Sequence, residues 1–197
     1  MLDQPKIKNH FKKADPIIYA VIKTMDFDRW WNRPKADYFT ALCEDIIGQQ
    51  LSGKAADVIF ARFEKLFPKK QITPERILKL ADQQIRNIGT SWAKVKYLKN
   101  LAKQVKTGAF KLALLDQLAD ETIITELTKI KGIGRWTAEM FLIFTLKRPD
   151  VFSFGDLGLN KAFKKLYGNQ DMAAAVKRWS PYKSFAALAL WQSLDTV

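Results

Sequence analysis

The stretch "LTKIKGIGRWTAEMFLIFTL", Leu127 to Leu146, sets two runs of helical spacing on either side of Gly132-Ile133-Gly134. Glycine reaches backbone angles that turn successive N–H groups to one side, and it lets a ligand approach the main chain closely. The helix that opens after the second glycine adds its own unpaired N–H groups and the positive end of its dipole. Such a junction can be a tight turn between helices, or an anion site whose natural occupant is phosphate. Gly-x-Gly alone does not choose between them. Ile133 is expected to point inward and anchor the two helices.

Outward from this stretch the period stays helical. In "SGKAADVIFARFEKLFP", Ser52 is placed as an N-cap and Pro68 as a stop. Ala56, Ile59, Phe60, Phe63, Leu66 and Phe67 fall on one face between them. Further starts are marked at Asp15-Pro16, Thr73-Pro74, Ser91, Asp120 and Ser180-Pro181, and stops at Gly89, Gly108 and Gly168. No segment alternates cleanly, so the expectation is an all-α chain of about nine or ten helices with little or no sheet. "MDFDRWWNRPKADYF", Met25 to Phe39, breaks the period and is expected to be irregular. "RNIGTSWAKVKYLKNLA" faintly echoes the glycine junction, since both run from an Ile-Gly turn into a helix.

Lys and Arg number 33 against 20 Asp and Glu, a net charge of +13 on 197 residues. That excess favours a polyanionic partner, nucleic acid before an anionic membrane. With 48% apolar and 12% aromatic residues the chain can bury a core. Cys43 and His10 are the only residues of their types, which excludes an internal disulfide, a cysteine-ligated zinc or iron–sulfur site and a Ser-His-Asp triad. Neither a long apolar run nor a signal-peptide core in "MLDQPKIKNHFKK" is seen, so a soluble intracellular protein without membrane contact is expected. Lys96, Lys99, Lys103 and Lys106 share a face opposite Val95, Leu98, Ala102 and Val105 and read as a solvated stripe. Lys161, Lys164, Lys165 and Arg135 are better placed for phosphate.

Four ordered blocks carry a resemblance. They are "DIIGQQLSGKAA" (Asp45–Ala56), the glycine junction with Arg135-Trp136-Thr137-Ala138 behind it, "DVFSFGDLGLNKAF" (Asp150–Phe163) and "RWSPYKSFAALALW" (Arg178–Trp191). Together they resemble the helix-hairpin-helix DNA glycosylase superfamily, in its alkylbase branch, DNA-3-methyladenine glycosylase II. The likeness runs from "HFKKADP" to the last helix. It implies one all-α glycosylase domain over 1–197, made of two helical lobes with a base-binding cleft between them. The central lobe would take about 35–145, with the hairpin at 127–146. The N-terminal segment and about 146–197 would form the second lobe.

The resemblance makes Asp156 the catalytic aspartate. By spacing, Asp156 is also an N-cap, ahead of a face formed by Leu159, Ala162, Phe163 and Leu166; the two roles are compatible. Trp136 and Tyr182 would line the base pocket, or else serve as core aromatics; Tyr182 departs from the tryptophan common at its position. Trp136 stands where strand-cutting members carry a lysine, which implies a monofunctional enzyme; Lys129 and Lys131 are out of register. Gln50 would be the wedge that fills the hole left by the flipped base, with Leu51 beside it, unless Gln49 and Gln50 only satisfy backbone groups at the bend before Ser52. Gly132, Ile133, Gly134, Arg135 and Thr137 would contact DNA. Trp30, Trp31, Trp92, Trp179 and Trp191 are assigned to packing.

What is implied, then, is a monomeric repair enzyme acting on double-stranded DNA with damaged bases, in the cytoplasm at the nucleoid or in a nucleus. It would remove alkylated purines of the 3-methyladenine type. No cofactor and no side-chain metal site are expected, although a monovalent ion at the backbone carbonyls of residues 130–134 is compatible with the family. The rival expectations are a glycosylase for oxidised guanine or uracil, and a non-catalytic helix-hairpin-helix DNA-binding module.

Overall fold

A computed structural model describes residues 2–32 and 37–195. In chain order the α-helices are α1 (Gln4–Ala14), α2 (Pro16–Ile22), α3 (Asp28–Trp31), α4 (Tyr38–Gly48), α5 (Gly53–Glu64), α6 (Pro74–Lys79) and α7 (Asp82–Asn87). Then follow α8 (Trp92–Lys106), α9 (Asp120–Thr128), α10 (Arg135–Met140), α11 (Leu157–Tyr167), α12 (Met172–Arg178) and α13 (Lys183–Asp195). A π-helical stretch, Phe141–Thr145, follows α10. Among the described residues there is no strand, so the chain is all-α as expected. Among the described residues the helices outnumber the expectation; α3 and α7, which no expected start marked, have four and six residues, too short for a 3.6-residue period to register.

The chain divides into two compact units, 36–141 and the pair of segments 1–35 and 142–197. In the two-segment unit Ile7, Phe11, Ile18 and Ile22 of α1 and α2 share a core with Phe163, Trp179, Phe185 and Leu190. Trp179 is fully buried, and its indole N–H donates to Oδ2 of Asp15 at 2.8 Å. Oδ1 of the same carboxylate caps α2 through the amides of Ile17 and Ile18, which accounts for an aspartate only 2% exposed. Of the stretch expected to be irregular, residues 33–36 lie outside the described residues. Phe27 is buried there, and Trp30 and Trp31 pack on Phe185 as assigned.

In the 36–141 unit α8 is the central helix, with α4, α6 and α7 packed against it. It buries Val95, Leu98, Leu101 and Ala102. Lys96, Lys103 and Lys106 face solvent, but Lys99 does not belong to that stripe. Its ammonium donates to the carbonyls of Leu78 and Leu80, where α6 ends with unpaired acceptors. Trp92, at the first position of α8, is half exposed rather than packed.

Most of the marked helix ends are real. Asp15, Thr73 and Ser91 cap with their side chains, and Gly89, Gly108 and Gly168 take positive φ. Ser52 holds the cap position of α5 without a side-chain bond, and of its expected face Phe63 and Phe67 are buried while the others are half-buried. Asp120 lies one residue inside α9. Ser180-Pro181 does not open a helix: Asp150 accepts from Ser180 Oγ and Lys183 N, holding a turn ahead of α13.

Candidate functional site

The hairpin is built from α9, the turn 129–134 and α10. Ile133 is 4% exposed and its N–H donates to Ile130 O at 3.0 Å, so the side chain is the inward anchor. Gly132 has φ +97°, and a Cβ there would lie 2.2 Å from Cγ of Tyr97. Both facts demand glycine. Gly134 differs: it caps α10 at φ −91°, and a Cβ would meet nothing within 4 Å.

The "GQQLS" bend is fastened to this turn. Gln49 Nε2 donates to Gly132 O at 2.8 Å and to Thr137 Oγ1 at 3.2 Å, which also places buried Thr137. The backbone group that Gln49 satisfies thus belongs to the hairpin and not to the bend before Ser52. Lys94 Nζ donates to Ile47 O and Gln49 O at 2.8 and 2.6 Å, closing the C-terminus of α4; burial lowers its pKa. Lys94 was not anticipated, because spacing does not show how far a lysine reaches into another helix. Gln50 is exposed at φ +60°, a left-handed angle uncommon outside glycine, and Leu51 beside it is 38% exposed. These groups border a groove of about 720 Å³ lined by Gln50, Lys94, Tyr97, Gly134, Trp136 and Thr137. Trp136 is 44% exposed, so it is not a core aromatic. Arg135 lies at the helix start but is engaged within the protein, with Glu121 at 2.8 Å and the buried Glu139 at 2.9 Å. It bridges α9 and α10.

In the other unit Asp156 caps α11, with Oδ1 accepting from Leu159 N at 2.7 Å. The same oxygen accepts from the indole N–H of Trp191 at 3.1 Å, so Trp191, which packs against the core as assigned, also serves this carboxylate. This bond was not legible from spacing, since the two residues are 35 positions apart. Phe144, from the π-helical stretch, packs at a tilt on Trp191 with centroids 5.5 Å apart. Asn160 Nδ2 donates to Phe154 O and Asp156 O and fastens the loop ahead of the helix. Tyr182 is half-buried, its ring against His10 and Phe185. Lys161 and Lys164 are exposed, whereas Lys165 donates to Ser193 O.

Other reactive groups offer little. Burial pushes the Cys43 thiol well up, which removes it as a nucleophile. The described residues hold no group of three or more His, Cys, Asp or Glu placed for a metal, and no described helix is long and apolar enough to cross a membrane. Asp45 has a buried Oδ2 without a hydrogen bond; burial, then the charge of Glu44, raises its pKa from 3.8 to about 7.

A glycine hairpin that opens a helix, followed by a helix-capping aspartate in an all-α chain, defines the helix-hairpin-helix class. Residues 43–181 match the model of the HhH-GPD superfamily base excision DNA repair protein, and the chain belongs to that family. It is 34% identical over 169 residues to a putative DNA-3-methyladenine glycosylase of Bacillus subtilis, covering 80% of this chain and 59% of that one. It is 33% identical over 167 residues to DNA-3-methyladenine glycosylase 1 of Schizosaccharomyces pombe, covering 81% and 73%. The chain thus spans under two thirds of the Bacillus relative's length. Among solved structures, a DNA-3-methyladenine glycosidase of Bacillus halodurans superposes with a TM-score of 0.83 at 34% identity, covering 98% of this chain and 91% of that one. The Schizosaccharomyces pombe 3-methyladenine DNA glycosylase in complex with abasic DNA gives 0.84 at 30%, covering 95% of each.

Proposed function

We propose that the chain is a monofunctional DNA glycosylase, acting as a monomer, that flips alkylated purines of the 3-methyladenine type out of duplex DNA and hydrolyses the N-glycosidic bond. The observation that carries this reading is Asp156, a carboxylate fixed at the start of α11 by the Leu159 amide and the Trp191 indole. Loss of a base leaves an oxocarbenium-like sugar, and a preorganised carboxylate stabilises that charge or orients the attacking water.

The amides behind Gly134 hold a DNA phosphate, with the basic excess of the chain adding to affinity. Gln50, exposed on a left-handed backbone, fills the gap left by the extruded base, with Leu51 beside it. Trp136 offers an aromatic face to a base made cationic by alkylation, worth about 0.5–2 kcal/mol, and Tyr182 is a second pocket ring. The same charge makes the base a good leaving group, so a permissive pocket suffices. A monovalent ion fits the neutral carbonyl oxygens of residues 130–134: Ile130 O and Gly132 O each accept one hydrogen bond and have a second lone pair. The relatives' names support the alkylbase reading, and the abasic-DNA complex of the Schizosaccharomyces enzyme supports DNA as partner. The place of action is then the cytoplasm or nucleus that holds the DNA.

A panel of duplexes carrying alkylated purine, oxidised guanine or uracil tests the reading by free-base release. Release from the alkylated duplex alone, with no borohydride-trapped adduct, is expected. Release of only the other bases would transfer the chain to a different lesion, and steep salt-dependent binding without release would make it a binding module.

A further inference from the structure

We infer that Trp191 is the positioning residue for Asp156, acting through its indole N–H rather than through its ring face. This rests on the reading of Asp156 as the reacting carboxylate. Oδ1 receives two donors from two elements: the Leu159 amide of α11 at 2.7 Å and the Trp191 indole of α13 at 3.1 Å. The amide is the N-cap bond within α11, and the indole adds a donor from another helix that restrains the carboxylate; a misplacement of about 1 Å at a reacting group can cost 100-fold in rate.

Gly158 shows that the contact is built in. Glycine is disfavoured in a helix relative to alanine. Gly158 is the second residue of α11 and is not among the glycines with positive φ, so backbone angle does not account for it. Space does. A Cβ there would lie 3.1 Å from Asp156 Oδ1, 3.2 Å from Trp191 Nε1 and 3.3 Å from Trp191 Cδ1. The glycine leaves room for the indole to reach the carboxylate. Phe144 lies against the indole at an interplanar angle of 32°.

The protein contains a second indole–carboxylate pair for contrast. Trp179 and Asp15 are joined in the same way, but deep in the core, where their work is structural. Around Asp156, by contrast, Phe144 is 43%, Phe154 52% and Leu157 86% exposed. Apolar groups left open beside a fixed carboxylate are the mark of a site that receives something.

The test compares native protein with Trp191→Phe and Gly158→Ala. Single-turnover base release from an alkylated duplex, affinity for an abasic-site duplex and thermal midpoint are measured for each. Trp191→Phe retains an aromatic face and loses only the donor. Its release rate is expected to fall on the order of 10- to 100-fold, with affinity changed by less than about threefold. Gly158→Ala is expected to move the rate in the same direction with affinity retained. A native rate in Trp191→Phe overturns the inference, and so does a rate loss matched by equal losses of affinity and thermal midpoint. Asp156→Asn separates the two layers. If it keeps the native rate, the reading of the site falls. If it is inactive while Trp191→Phe is not impaired, only the positioning role falls.

Discussion

Gly132 and Gly134 look alike in the sequence, but their surroundings differ. Gly132→Ala would place a Cβ inside the Tyr97 ring on a backbone at φ +97°, so a stability loss of about 2–4 kcal/mol is expected in denaturant unfolding. Gly134→Ala meets open space at an ordinary angle, and its stability should change by under about 1 kcal/mol. Equal effects of the two changes on stability would contradict this division. Asp45 gives a residue-scale pH effect. Its carboxyl titrates at about 7 when folded and near 3.8 when unfolded. Between those values the folded state keeps a proton that the unfolded state has released, so rising pH favours unfolding, and the effect levels off above pH 7. Relative to Asp45→Asn, the native protein should lose on the order of 3 kcal/mol between pH 4 and 7. A flat difference across that range would show that the group is not held protonated. The glycine junction was legible because its chemistry is local. The Trp191 bond to Asp156 was not, because it depends on how α11 and α13 pack.

At the scale of elements, the bend after α4 and the hairpin form one piece. Gln49 joins the bend to Gly132 O and Thr137, and Lys94 joins α4 to α8. Gln49→Leu keeps the size but removes the donor, leaving a carbonyl short of a partner and the left-handed Gln50 less constrained. A stability loss of about 1–2 kcal/mol is expected, with a larger fractional loss of affinity for an abasic-site duplex than for a single strand. Equal losses on both would mean that the bend is not coupled to the duplex. Helix starts at Asp15, Thr73 and Ser91 were readable because a cap is a bond between near neighbours. Ser180-Pro181 misled because the carboxylate of Asp150, 30 residues earlier, takes the bonds that would have started a helix. Lys99 misled for the same reason, since a periodic stripe looks solvated until a neighbouring helix end supplies acceptors.

For the whole molecule, the all-α class followed from periodicity and caps, and the family followed from four blocks in order. The net charge of +13 pointed to a polyanion without saying which one. Composition did not locate the chemistry, because a single carboxylate is invisible among 20 acidic residues. Asp156 became distinct only through its place after the hairpin and, in the fold, through the two donors on one oxygen. Asparagine at this position still accepts the capping bond from Leu159 but carries no charge, so it parts the structural duty of the residue from the chemical one. The decisive measurement is release of methylated purines from alkylated duplex DNA by the native chain beside Asp156→Asn, with thermal midpoints recorded for both. Release by the native chain and its near-complete loss in the variant, at a closely similar midpoint, is the predicted result; undiminished release by the variant would contradict it.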